Sequence, residues 1–270
     1  MPKLPKITVI TPSYNQGGFI EQTNQSVLDQ GYPDLEYLVM DGGSTDQTLE
    51  ILRKYSGNLL FSSEPDRGQS EAINKGLRLA SGEVISYLNS DDLLVPGALV
   101  KVGNFFAAHP EAFWLAGRCR LIDPKGKEVR RFITFYKNFW LLFRSYQVLQ
   151  VLDFIPQPAT FWRREVIERV GYFDESLHYA LDYDYSLRVG RHYRLWTMSQ
   201  YLAAFRTHPA SKSRQGTAIH FEEEFEVLKR YPTTPFLRST HAIHTKCILT
   251  VYRILSARAM KRESGQEYLG

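Results

Sequence analysis

Four short apolar, strand-like runs alternate with four helical stretches in the first 110 residues, a pattern that folds as a parallel sheet wound with helices on both faces. Residues 7–11 (I-T-V-I-T), 35–40 (L-E-Y-L-V-M), 59–62 and 84–88 read as the strands. Pro12 stops the first strand. Gly31 closes a helix over 19–30, and Ser44 opens the second helix with Gln47 as its capping-box partner. A third helix covers 70–80, and a fourth runs from Pro96 to His109. Right-handed crossovers place every strand's carboxyl end on one edge. The polar loops 12–18, 41–46, 64–69 and 89–92 therefore converge where open α/β sheets bind ligands. Three of the four carry carboxylates: Asp41, Asp46, Asp66, Asp91 and Asp92.

The stretch V-I-S-Y-L-N-S-D-D, residues 84–92, runs from a buried strand into two adjacent carboxylates. Such a pair repels unless a cation or donor cluster compensates. A hard divalent ion, Mg²⁺ or Mn²⁺, is the simplest compensation, and it shares its oxygen ligands with substrate phosphates. Taken alone, the pair reads rather as a solvated turn and helix cap, since acidic pairs before helices are common. The recurrence of carboxylates on the neighbouring loops favours the ion.

Beyond residue 113 the pattern changes. Residues 113–122 and 128–134 read as a hairpin across Asp123-Pro124-Lys125-Gly126. Residues 135–152 read as one aromatic helix, either core or an acceptor-side or membrane-facing lip. Ile155-Pro156-Gln157-Pro158 opens an extended run, and Leu181-Asp182-Tyr183-Asp184 opens another helix. Residues 193–207 hold two short strands. Arg206, His208, Ser211, Lys212, Ser213 and Arg214 follow as a basic, flexible stretch. Glu222, Glu223, Glu224 and Glu226 read as the solvated face of an acidic helix. The tail over 237–262 holds six Lys or Arg and no Asp or Glu, a composition that suits packing on the domain or lying on anionic lipid.

Thr11-Pro12-Ser13-Tyr14-Asn15, Asp41-Gly42-Gly43-Ser44-Thr45-Asp46, Glu64-Pro65-Asp66-Arg67-Gly68 and Asn89-Ser90-Asp91-Asp92 resemble, in order and spacing, the motifs of family 2 glycosyltransferases. The resemblance extends over roughly residues 6–215 and implies an α/β fold of GT-A type: a doubly wound, mostly parallel central sheet with a smaller acceptor-side region and C-terminal helices. It divides the chain into a nucleotide-sugar half (1–110), an acceptor and catalytic half (111–216) and a helical extension (217–270). It implies a nucleotide-sugar donor, usually a UDP-sugar, a glycan or lipid-linked acceptor, and Mn²⁺ or Mg²⁺. By position, Pro12, Tyr14 and Asn15 border the nucleotide. Asp41 bonds the base, and Asp66 with Gly68 lies beside base and ribose. Asn89 belongs to the donor site. The family's D-x-D motif is S-D-D here, so Asp92 takes the metal and Asp91 contacts ribose or donor sugar. His208 is placed to reach metal or diphosphate. Asp182 stands where the family has its catalytic base, without the usual preceding Glu; Asp184 is the alternate. Direct displacement at the anomeric carbon needs one such base and no covalent nucleophile. The Q-x-x-R-W signature of processive synthases is absent, residues 191–196 (R-H-Y-R-L-W) being a near miss, which argues for transfer of a single sugar.

Other classes fit less well. A sugar nucleotidyltransferase wants a Gly-rich phosphate loop after the first strand, where this chain has T-P-S-Y-N. A non-catalytic nucleotide-sugar-binding module would not retain Asp92 and Asp182. A net charge of +4 is too weak to point to nucleic acid. Cys119 and Cys247 fit no metal or disulfide spacing, and no apolar run reads as a signal peptide or a span of about 20 residues. The expectation is a cytoplasmic protein, compatible with the inner membrane face through its basic tail.

Overall fold

The four expected strands form and lie parallel: β1 (Ile7–Ser13), β2 (Leu35–Asp41), β3 (Leu60–Ser63) and β4 (Val84–Tyr87). The structure is a computed structural model. It describes residues 3–212 and 216–266, with side chains apart from those of 217, 218 and 252–266. Along β2, Tyr37 and Val39 enter one apolar core while Leu38 and Met40 enter the other, so both sheet faces are covered. Pro12 does not end β1, which continues to Ser13 in register with Asp41. Strand β4 pairs only with Ile7–Ile10 of β1. Pro12 therefore lies where β1 has a single neighbour, a position that tolerates the missing N–H.

Helices α1 (Ile20–Leu28), α2 (Thr48–Lys54) and α3 (Gln69–Leu79) make the crossovers. Helix α2 begins later than expected. Gln47 makes no capping bond, and Asp46 instead accepts from the Thr48 N–H (2.9 Å) and hydroxyl (2.5 Å). After β4 the chain makes a two-residue strand, β5 (Leu93–Leu94), before α4 (Ala98–Ala108).

The second half is a mixed extension of the same sheet, in the order β3-β2-β1-β4-β7-β6-β8-β5. Strand β6 (Trp114–Ile122) forms as expected, but its hairpin partner does not. That arm shrinks to one bridge, Ile122 to Glu128, because β6 is flanked by β7 (Thr160–Arg163) and β8 (Leu195–Arg206). The single aromatic helix is two helices, α5 (Arg131–Trp140) and α6 (Tyr146–Val151). Arg144 at φ 49° breaks the run, and Ser145 caps α6 by accepting from the Val148 N–H. The two short strands expected over 193–207 are one long β8 with register shifts against β6. Prolines 156 and 158 delay β7 to Thr160 by imposing a 3₁₀ turn.

Strand β7 runs antiparallel to both β4 and β6, and β8 runs parallel to β6. The carboxyl ends of β6 and β8 therefore emerge on the same edge as those of β1 to β4. Helices α7 (Arg164–Val170) and α8 (Leu181–Gly190) pack behind, followed by α9 (Thr217–Lys229) and α10 (Pro235–Gln266). Helix α10 packs through its first turns: His241 is 1% exposed and stacks on Tyr183 and Phe225. Side chains of the basic tail past Val251, and Ser213 and Arg214 of the basic stretch, lie outside the described residues. No described helix is long and apolar enough to cross a membrane.

Candidate active site

The loops after β1 and β2 lock together. Asn15, at φ 52°, donates its N–H to Ser44 Oγ (2.7 Å) and accepts from the Thr45 N–H (2.9 Å). The Gly17 N–H bonds Asp46 (2.9 Å). Tyr14 projects outward, 60% exposed, above buried Pro12. Asp41 is buried, and its carboxylate accepts four donors of the chain: the Gly43 and Ser44 N–H groups and the Ser44 and Ser63 hydroxyls. Its present work is to shape the loop.

Asp66 differs. It accepts from the Gly68 N–H (2.9 Å) through Oδ1, and no described donor bonds Oδ2. Burial raises its pKa, with Asp41 among the smaller contributions. Gly42 allows this approach, since a Cβ there would fall 2.7 Å from Asp66 Oδ2. Gly68, at φ 133°, holds a conformation that other residues rarely adopt.

The Asn89-Ser90-Asp91-Asp92 stretch is no solvated turn. Asp92 has no exposed surface, and its Oδ1 accepts the Arg206 N–H (2.8 Å). Its Oδ2 has only a 3.4 Å contact from Asn89. Burial, and then the charge of Asp91, push Asp92 well above the usual carboxylate range. Asp91 Oδ2 lies 3.0 Å from His208 Nε2, and the imidazole packs on Phe19. Thus Asp91, Asp92 and His208 come together, brought by the ends of β4 and β8.

Arg206 makes that meeting possible, contrary to its reading as part of a flexible stretch. It is fully buried, and its guanidinium bonds the Asp91 carbonyl (2.7 Å), the Pro124 carbonyl (2.7 Å) and Gln22 (2.9 Å). His208 and Ser211 are buried with it. Asn89 is braced by Gln69 (2.7 Å) and lies 3.4 Å from Gln157, whose amide donates to the Tyr87 carbonyl (2.6 Å). Gln69 and Gln157 carried no sequence signal, and Arg206 only its place in the Arg206-Thr207-His208 segment that resembles the family's, because each acts across a topology that only the fold defines.

Asp182 stands in the first turn of α8, half-buried, and lines a small pocket with Tyr87, Gln157, Trp162 and Tyr185. Its Oδ1 accepts only the Tyr183 N–H (3.0 Å). Burial raises its pKa and nearby Glu224 adds to that, while His220 and Lys137 act against it. Asp153, unnoticed in sequence, belongs to the same group: burial and then the Asp182 charge push it up to about 7. Asp184 points elsewhere. It is buried, bonded by Arg188 (2.9 Å) and the Tyr231 hydroxyl (2.5 Å), and occupied in holding α8. Glu223, expected in a solvated face, instead accepts the N–H groups of His178, Tyr179 and Ala180 just before α8. Glu224 is also buried, while Glu222 and Glu226 remain exposed.

No three His, Cys, Asp or Glu side chains among the described residues form a ready-made metal cage. The donor set nevertheless fits a divalent ion. Asp92 is a buried carboxylate under like-charge stress with an under-used oxygen, and Asp91 and His208 add oxygen and imidazole. Imidazole among hard oxygens suits Mn²⁺ better than Mg²⁺.

The chain is similar to known proteins in sequence and in fold. An uncharacterised glycosyltransferase of Rickettsia typhi is 26% identical over 227 residues, covering 83% of this chain and 70% of its own. The crystal structure of S. aureus TarS 1–349 in complex with UDP-GlcNAc superimposes with TM-score 0.64 at 22% identity, covering 82% of this chain and 65% of that one. The mannosyltransferase PcManGT from Pyrobaculum calidifontis, in complex with GDP-Man and Mn²⁺, superimposes with TM-score 0.68 at 21% identity, covering 94% and 81%. These neighbours share the GT-A fold. The model of "Glycosyl transferase family 2" matches residues 8–171, from β1 through the loops and carboxylates of the nucleotide side to α7. With that match over more than half its length, the chain belongs to glycosyltransferase family 2 and is a glycosyltransferase of GT-A type.

Proposed function

We propose that this enzyme moves one sugar from a UDP-sugar to a hydroxyl acceptor with inversion, in polysaccharide or lipid-linked glycan assembly at the inner membrane face. The observation that carries the reading is the placement of two carboxylate groups around Tyr87. Tyr87 and Gln157 line the pocket of Asp182, Gln157 lies 3.4 Å from Asn89 and Asn89 3.4 Å from Asp92, and the charges of Asp182, Asp153 and Asp92 add to burial in raising the phenol's pKa. Displacement needs that division: diphosphate departure at one end, proton removal at the other.

At the donor end, Asp92, Asp91 and His208 would hold Mn²⁺ or Mg²⁺ together with diphosphate oxygens. The ion, when bound, neutralises the leaving diphosphate. Pro12, Tyr14 and Asn15 border the nucleotide. Asp41 fixes the loop that receives the base, and Asp66 offers its spare oxygen to base or ribose. Asn89, braced by Gln69, faces the donor. Gly68 lets the loop approach closely.

At the acceptor end, Asp182 accepts the proton of the attacking hydroxyl. A half-buried carboxylate held above its ordinary range is a better base for this than a solvated one. Asp184 is the alternate, although its oxygens are committed to Arg188 and Tyr231. The neighbours that hold UDP-GlcNAc and GDP-Man support a nucleotide-sugar donor, and the Mn²⁺ of the latter supports a metal.

Thermal shift with UDP-GlcNAc, UDP-glucose and GDP-mannose, each with and without Mn²⁺, tests the donor. A ligand at 100 times its Kd stabilises by about 2.7 kcal/mol. The expected result is a metal-dependent rise for a UDP-sugar. A rise for GDP-mannose alone would contradict the choice of base.

A further inference from the structure

Helix α5 packs on the core through Tyr136 and Trp140 but turns a second apolar face outward. Two uncharged polar residues face inward with Tyr136 and Trp140: Thr134 is 4% exposed and Asn138 7%, with Asn138 bonding the Cys119 backbone in both directions at 3.4 Å. Its phenyl rings face outward. Phe132 is 77% exposed, Phe135 70% and Phe139 41%, followed by Leu142 at 62% and Phe143 at 52%. The spacing 132, 135, 139, 143 puts the rings on one stripe. They touch one another, Phe135 to Phe139 at 6.4 Å and Phe139 to Phe143 at 5.3 Å between centroids. A contiguous exposed aromatic ridge of this kind marks an interaction surface.

The charge pattern selects the partner. From residue 129 to 152 there is no Asp or Glu, while Arg130, Arg131, Lys137 and Arg144 are present. Arg130, Arg131 and Arg144 are exposed at the two ends of the ridge. A protein groove would offer mixed charge and hydrogen-bonding complementarity. Glu128 pairs with Arg131 at 4.0 Å, but the rim keeps a basic excess, and a ridge of hydrocarbon rings with such a rim matches a layer of acyl chains beneath anionic headgroups. Long Arg stems can lie along the rings while their heads reach phosphate.

We propose that the Phe132, Phe135 and Phe139 stripe of α5, continued by Leu142 and Phe143 in the turn after it, docks on a bilayer surface containing anionic lipid, with Arg130, Arg131 and Arg144 at headgroup level. This goes beyond the reading of the donor and base. The stripe's place in the molecule gives it a use. Lys137 on the same helix acts electrostatically on Asp153 and Asp182, so α5 borders the acceptor end of the site. Docking through α5 would bring that end against the membrane plane.

Vesicle co-sedimentation of the full chain tests this, with phosphatidylcholine alone and with phosphatidylcholine plus phosphatidylglycerol. Wild type is expected to pellet with the anionic vesicles only, and less so in high salt. A Phe135→Ser/Phe139→Ser variant is expected to lose at least about tenfold in partitioning, given the apolar area of two phenyl rings. It should keep its Tm, since both rings are exposed. An Arg130→Gln/Arg131→Gln variant is expected to lose the preference for anionic vesicles. Absence of wild-type binding, or equal binding by the Phe variant, overturns the proposal. So does a Phe variant that turns a wild-type dimer into a monomer while vesicle binding stays the same, which would assign the ridge to a second copy of the chain. None of these readouts depends on the donor or on Asp182.

Discussion

The carboxylate of Glu223 on α9 accepts the backbone N–H of Ala180 at 2.6 Å, two residues before Asp182. The His178 and Tyr179 N–H groups bond the same carboxylate. One side chain from the C-terminal region thus satisfies three backbone donors at the mouth of α8 and fixes where the helix, and with it Asp182, begins. Burial works against its charge, but the three N–H bonds win and hold its pKa below the ordinary value. The contribution is therefore present at neutral pH and lost as pH falls through that lowered pKa.

Glu223→Ala should misplace Asp182 without touching the donor end. The expected outcome is a kcat lower by roughly ten- to a hundredfold with donor KM unchanged, since a shift of about 1 Å in a reacting group costs on that order. Tm should fall by roughly 4–8 °C, for a loss of about 2 kcal/mol. Glu223→Gln keeps one acceptor oxygen and should fall between. Steady-state kinetics with donor varied at fixed acceptor reads the split.

Asp153 and Asp182 repel one another, on top of the burial that raises both. The negative charge of Asp153 raises the cost of ionising Asp182, and the reverse holds. Asp153→Asn should move the acidic limb of the transfer profile to lower pH. The stability sign is opposite to that of a salt-bridged carboxylate. With its pKa raised to about 7, Asp153 gives stability that is full below the unfolded pKa and is lost as pH rises through about 7. Asp153→Asn should therefore raise Tm at pH 8 by roughly 2–4 °C and change little at pH 4. Scanning calorimetry at the two pH values measures this.

Arg206 joins β8 to the loop of Asp91 and Asp92 through three acceptors on different segments. Arg206→Ala removes three hydrogen bonds made by a fully buried charged side chain and should cost about 3–5 kcal/mol. Arg206→Lys should cost nearly as much, because an ammonium cannot reproduce the guanidinium fork. Urea denaturation gives both values. A cost under about 1 kcal/mol for the alanine variant would contradict this role.

Gly42→Ala probes Asp66 without altering any charge. A Cβ 2.7 Å from Asp66 Oδ2 must push that carboxylate aside. The backbone of Gly42 is not in the left-handed region, so the fold should tolerate the change. Calorimetric titration with the donor nucleotide should show affinity lower by roughly tenfold, equivalent to about 1.4 kcal/mol. Unchanged affinity would remove Asp66 from the nucleotide site.

The nucleotide half was legible because its signals are local. β-branched runs, glycine stops and strand-end carboxylates each lie within a few residues of one another, and right-handed winding does the rest. The acceptor half was not. The segment after β6 has hairpin chemistry, but β6 already has β7 and β8 as neighbours, so the second arm has no edge to join. Glu223 and Arg206 looked like solvated charge because their partners are backbone groups 43 to 45 residues away for one, and 82 and 115 for the other. Asp153 is a single carboxylate on no motif, and only the packing of α6 and α8 brings it beside Asp182.

The central claim is the division of labour between Asp92 and Asp182, and one paired measurement tests it directly. Calorimetric binding of the UDP-sugar with Mn²⁺ is run beside a transfer assay on wild type, Asp92→Asn and Asp182→Asn. The account predicts that Asp92→Asn loses metal-dependent nucleotide binding. It predicts that Asp182→Asn binds the donor like wild type and transfers no sugar. Transfer by Asp182→Asn at the wild-type rate would contradict the account and pass the role of base to Asp184.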